Sequence, residues 1–188
     1  MPRSIRALRP SVTRDEAVKA FDDGIAGSVR RLAIGPLRSI ADIYLPIRLY
    51  DVTMSCGARH ETAVLGVDAV TGALDFYRFD AVPAAPDLID VRTRNHLEPM
   101  LTPATTYDIV VSRVARMMYG RVGFFVGARV RLDVRPVGAD LYVPYWAGFF
   151  GRRETASLVV MDGVRRQIEG EKVRRTIEEW LSGRGAPS

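Results

Sequence analysis

His60 and His96 are the only histidines and Cys56 the only cysteine in 188 residues. Acid–base, nucleophilic or metal chemistry would have to be built from this short list. Cys56, His60 and Glu61 lie close together in sequence and sketch a ligand trio. Structural zinc takes four ligands, so the trio reads as a polar, solvated turn. A Ser-His-Asp arrangement would need His60 or His96 held between a buried Asp and an exposed Ser. No nucleophile-elbow motif supplies that Ser. Gly120-Arg121-Val122-Gly123-Phe124-Phe125-Val126-Gly127 is glycine-rich, and Arg121 has the charge to meet a phosphate. Its spacing matches neither a P-loop nor a dinucleotide fingerprint, so it reads as a helix running out into a strand. Asp68, four residues before Gly72, and Asp162, next to Gly163, fit side-chain-mediated turns rather than acid catalysis. The expectation is no catalytic residue, no metal and no cofactor.

Residue types suited to binding are more plentiful. Tyr44, Arg48, Tyr50, Tyr142 and Trp146 combine aromatics and arginine, the types enriched at interaction hot spots. They fall in two related blocks, Ala41-Asp42-Ile43-Tyr44-Leu45-Pro46-Ile47 and Ala139-Asp140-Leu141-Tyr142-Val143-Pro144-Tyr145. Each block alternates with the period of a strand. Ile43, Leu45, Ile47 and Leu49 point one way, and Tyr44, Pro46, Arg48 and Tyr50 the other. In the second block Leu141, Val143, Tyr145 and Ala147 oppose Tyr142, Pro144, Trp146 and Gly148. The aliphatic faces are expected to pack on a helix. A mid-strand proline lacks its amide donor, which argues for an edge or a bulge. The aromatic faces then either receive a partner, by strand addition for instance, or pack the two related halves together.

The elements that must position these faces recur in order. Thr13-Arg14-Asp15-Glu16 is a capping box, and Val18, Phe21, Ile25 and Val29 follow at helical spacing over 13–27 and beyond. Val110, Val114, Met117 and Met118 play the same part over 106–120. Downstream of each Tyr-x-Pro block comes a strand ending at a turn, at Asp68 and at Asp162. Thr62 to Asp68 aligns with Thr155 to Asp162 with one shift. After Gly72, residues 74–79 read as a returning strand. The proline-rich stretch 81–104 reads as a connector. Residues 171–181 read as a helix with Val173, Ile177, Trp180 and Leu181 on one side, stopped by Gly183. The fold expected is α+β: a tandem, pseudo-symmetric duplication of a helix followed by antiparallel strands, with a C-terminal helix. Its boundaries are a first repeat at 11–82, the connector at 83–104, and the second repeat with the helix at 105–186.

Composition is that of an ordinary globular chain, 47% hydrophobic and 26% charged, with mean hydropathy near zero. No apolar run approaches the roughly 20 residues of a membrane span, and 1–10 does not read as a signal peptide. A single cysteine fits a reducing cytoplasm. The net charge is +5, and of 27 basic residues only Lys19 and Lys172 are lysine. Arginine in this excess suggests nucleic acid or an acidic partner, although pairs such as Arg30-Arg31 and Arg152-Arg153 are scattered among acids.

Val67-Asp68-Ala69-Val70-Thr71-Gly72 resembles the segment that ends the last strand of PepSY-like domains. In the second block Val164-Arg165 stand where Thr-Gly would be expected. The resemblance implies PepSY- or cystatin-like halves and a non-catalytic module that regulates or binds other proteins. The expected function is accordingly a protein-binding or regulatory module. Two other classes stay open: a basic nucleic-acid binder using an aromatic and arginine sheet face, and a small-ligand binder or enzyme with a pocket between the halves.

Overall fold

A computed structural model describes residues 2–56, 59–120, 130–151 and 156–183. The glycine-rich segment 121–127, the arginine pair Arg152-Arg153 and Thr155 lie outside the described residues, as does the side chain of Cys56. In chain order the elements are β1 (Arg3–Leu8), α1 (Arg14–Asp22), α2 (Gly24–Ile34), β2 (Leu37–Cys56), β3 (Arg59–Asp68) and β4 (Tyr77–Phe79). A 3-10 turn at Ala85–Asp87 leads into β5 (Leu88–Thr93), followed by α3 (Pro103–Gly120), β6 (Val130–Phe150), β7 (Ser157–Asp162) and α4 (Glu171–Leu181).

The strands form one mixed, mostly antiparallel sheet in the order β4-β3-β2-β6-β1-β5, with β7 also paired to β6. This corrects the expected α+β tandem duplication. A seven-stranded mixed sheet with four helices stands in its place, and a repeated helix-then-hairpin unit is not what the chain builds. The finding that overturns it is the packing of the helices. α1 sets Ala17 and Phe21 against Phe150 and Met161 far along the chain, with only Leu37 and Ile40 of the following hairpin, at the start of β2, beside them. α3 packs chiefly on the hairpin that precedes it, joined by Val134 of β6. Two further strands, β1 and β5, pair with each other although their partners lie far apart in the chain, from Leu8 with Leu88 to Arg3 with Thr93. β1 also runs parallel to β6, with Ala7 beside Tyr142.

Contacts group the chain into two compact units, each drawn from both stretches that the sequence reading separates. One comprises Pro46–Ala84 and Pro99–Leu141. Its core sets Val110, Val114 and Met118 of α3 against Tyr50, Val52, Ala63, Leu65 and Val67 of the β2–β3 hairpin. The helix therefore packs on the face that carries Tyr50, not on the aliphatic face, and Met117 points outward, about half exposed. α3 starts where local chemistry says it should. Pro103 occupies the first turn, where a missing N–H costs nothing, and the Thr102 hydroxyl accepts the Thr105 amide at 3.1 Å.

The other unit comprises Met1–Leu45, Ala85–Glu98 and Tyr142–Ser188. Thr13 and Glu16 form the capping box, with the Thr13 amide donating to Glu16 Oε2 at 2.8 Å. The expected single helix breaks at Asp23, whose backbone is extended, and resumes as α2. Asp-Asp-Gly is poor helix material, which places the break there. Phe21 meets Phe150 edge-on at 5.9 Å between ring centres, in a core with Val12, Ala17 and Met161. Gly148 makes room for it, since a Cβ there would lie 2.9 Å from the Phe21 ring. α4 lies on β7 and buries Val173 and Ile177, while Leu181 stays exposed. Among the described residues no helix is long and apolar enough to cross a membrane.

Candidate functional site

The five residues of the expected binding face are parted into three settings, each mostly closed to solvent. In the α3 unit, the Arg48 side chain is only 14% exposed. Its Nε donates to Asp140 Oδ1 at 2.9 Å, and its Nη1 to the Leu101 carbonyl at 2.6 Å. The buried Tyr50 hydroxyl bonds Thr106 Oγ1 at 2.7 Å. In the other unit, the Trp146 indole donates to the Val12 carbonyl at 3.0 Å. Tyr44 and Tyr142 share a third setting, a buried cluster with Ile5, Ala7, Ile89 and Val91. The mid-strand prolines are occupied as well. The Pro46 carbonyl accepts the Ala69 amide, and the Pro144 carbonyl accepts the Gly163 amide.

Asp68 and Asp162 are turn-formers. Asp68 Oδ1 accepts the Val70 amide at 2.8 Å, and Asp162 Oδ1 accepts those of Val164 and Arg165 at 2.7 Å. His60 and Glu61 are neighbours on one strand, so their side chains leave it on opposite faces, and Glu61 pairs with Arg78 at 3.0 Å. Among the described residues no three His, Cys, Asp or Glu side chains are grouped to hold a metal.

Sequence reasoning found no partners for His96, and the structure supplies them. Residues 95–97 bond the backbone of Tyr44 on both sides. His96 is nearly buried, with Nε2 3.0 Å from Glu98 and its ring edge-on to Tyr142. Its Nδ1 is buried without a hydrogen-bond partner. Arg3 reaches the same Glu98 at 2.7 Å. Partial burial pushes the Glu98 carboxyl up, but the hydrogen bonds from His96 and Arg3 outweigh it and hold its pKa below the ordinary value. The Tyr44 hydroxyl is pushed up to about 12, by burial first and then by the adjacent Asp42 carboxylate. These groups hold strands in place: His96 and Arg3 meet on Glu98, and residues 95–97 bond the Tyr44 backbone.

The Tyr44–Tyr142 cluster supports a strand with an open side. β5 ends the sheet and pairs only with β1 among the described residues. Its register is regular and without a bulge, from Arg3 opposite Thr93 to Leu8 opposite Leu88. In an antiparallel ladder, residues alternate between those whose N–H and C=O both face the partner and those whose groups face away. The Arg9 amide donates to the Asp87 carbonyl at 2.7 Å, which sets the phase. Asp87, Ile89, Val91 and Thr93 therefore turn their backbone groups to β1, and Leu88, Asp90 and Arg92 turn theirs outward. The Leu88 carbonyl also takes the Arg9 guanidinium at 3.2 Å, so the open stretch is Asp90 and Arg92. Both side chains are exposed. Neither has a hydrogen bond or ion pair to another described residue.

Sequence reasoning missed this edge because residues 88–93 sit within a proline-rich stretch. The available signal was the alternation of Ile89, Val91 and Thr93 with Asp90 and Arg92. No protein family, curated protein or solved structure matches the chain.

Proposed function

We propose that this chain is a non-catalytic protein-binding module that accepts an extended strand at the open edge of β5. The observation that carries the reading is the backbone of Asp90 and Arg92 on a regular edge strand, facing outward with no partner among the described residues. Exposed edges template pairing with another chain, and proteins usually blunt them with shortness, charge, proline or a bulge. β5 has no proline and no bulge, and its charges are one of each sign, which a partner of complementary charge can match rather than be repelled by. Strand addition takes its affinity from the main chain and its specificity from alternate side chains. The chemistry-bearing residues support the same reading from the other side, because Asp68, Asp162, Arg48 and Glu98 are engaged in holding turns and strands. The PepSY-like turn at Val67 to Gly72 is in keeping with a binding role, and the single cysteine with a cytoplasmic setting.

The test is Arg92→Pro. This removes an outward amide and leaves every β1 hydrogen bond intact, the one placement proline tolerates in a sheet. Proteins retained by the immobilised wild-type chain, further copies of itself included, should be lost from the variant at an unchanged melting temperature. Equal retention by both chains overturns the reading. A salt-dependent mobility shift of nucleic acid by both chains would favour the nucleic-acid alternative instead.

A further inference from the structure

We infer that the strand accepted by β5 is β5 of a second copy of this chain, paired antiparallel about Val91. This rests on the reading of β5 as an open edge and names its occupant. The argument is charge register. Within β5 only Leu88, Asp90 and Arg92 present backbone groups outward, so hydrogen-bonded pairs across a new interface must be drawn from these positions. A two-fold axis through Val91 places Asp90 opposite Arg92 of the second copy and Arg92 opposite its Asp90. Two opposite-charge pairs then form on the exposed face, each flanked by a complete pair of backbone hydrogen bonds. Sliding by two residues in one direction sets Asp90 against Asp90, and in the other Arg92 against Arg92, with Asp90 then facing Arg94, which lies in the bend past the end of β5 where the regular ladder has stopped. Like charges directly opposite are destabilising. A slide by one residue turns the bonding groups out of phase. One register therefore satisfies both the backbone and the charges carried within the strand itself.

The other face agrees. Ile89 and Val91 pack on the Tyr44–Tyr142 cluster but remain only partly buried, and no described strand pairs with β5 on its outer side. In the register about Val91, the two Val91 side chains face each other at a non-hydrogen-bonded position, where side chains approach most closely. Ile89 comes opposite Thr93. The half-covered apolar row is completed by its own copy. A partner edge with another charge pattern would cover the same row but leave Asp90 and Arg92 unmatched. A six-residue edge buries less than the roughly 1,200 Å² of a stable interface, so the dimer is expected to be of micromolar or weaker affinity and to exchange quickly.

Sedimentation equilibrium of the full chain, from about 10 µM to about 1 mM, should show a monomer–dimer equilibrium. Asp90→Arg and Arg92→Asp each set like charges opposite one another twice, and each alone should weaken self-association by about tenfold or more. Mixed together, the two variants regain complementarity at every pair and should form the heterodimer. The double variant Asp90→Arg/Arg92→Asp should recover the homodimer. A wild-type chain that stays monomeric throughout overturns the inference, as does a dimer indifferent to either single variant or a mixture that fails to associate. If the wild type is monomeric yet Arg92→Pro still abolishes retention of a different protein, the self-pairing falls while the binding role of the edge stands.

Discussion

Arg48 and Asp140, ninety-two residues apart, meet at 2.9 Å as a two-pronged pair, with a second contact from Nη2 to Oδ2 at 3.4 Å. Arg48 also takes the Leu101 carbonyl just before α3. One guanidinium thus ties β2 both to the start of β6's core segment and to the loop that launches the helix.

Arg48→Ala is therefore expected to destabilise the protein, by about 2–3 kcal/mol for a charge-assisted network only partly open to water. Arg48→Lys should recover little, because an ammonium cannot reproduce the planar fork. Urea melts of both variants and of Asp140→Ala, combined as a double-mutant cycle, give the coupling. A cycle near zero would show that the pair contributes nothing.

Phe21→Ala should cost about 3–5 kcal/mol, since it empties the centre of a packed cluster. Gly148→Ala attacks the same contact from the other side by crowding the Phe21 ring, at about 1–3 kcal/mol. Gly163→Ala should be no milder, because its Cβ would lie 2.8 Å from the Pro144 carbonyl oxygen, which is backbone and cannot rotate away. Gly170→Ala, where a Cβ meets nothing within 4 Å, removes only the glycine preference at the N-cap of α4 and should cost under about 1 kcal/mol. Thermal melts rank the four.

Trp146→Ala should destabilise by about 3 kcal/mol, since the ring is half-buried in the Phe21 cluster and its N–H holds the Val12 carbonyl. Self-association, normalised to the folded fraction, should be unchanged. Loss of association at an unaltered melting temperature would place Trp146 in a binding surface instead.

Tyr44 titrates with a raised pKa in the folded state, about 12 against 10 for an ordinary tyrosine. Between those values the folded chain holds a proton that the unfolded chain has released. The contribution of Tyr44 is therefore complete below pH 10 and lost as pH rises toward 12. Urea midpoints should fall over that window, and Tyr44→Phe should flatten the fall. Ultraviolet titration showing Tyr44 ionised near pH 10 in the folded protein would refute this.

What the sequence determined by itself is local. The capping box at Thr13, the bounds of α4, and the Asp68 and Asp162 turns all depend on bonds between residues two to four apart. The likeness of the two Tyr-x-Pro blocks recorded a shared local habit, in which a proline carbonyl accepts the amide after a turn aspartate. It did not record a repeated unit. Tertiary structure decided the rest. Period-two alternation shows that a strand has two faces, but what covers each depends on chain far away: α3 reaches back to β2 and β3, and Phe21 of α1 reaches forward to Phe150. The candidate edge is the clearest case. Leu88 to Thr93 read as part of a connector because nothing nearby pairs with it. It becomes a strand only when Arg3 to Leu8 supplies one ladder of hydrogen bonds, and it becomes an edge because no described strand supplies the other.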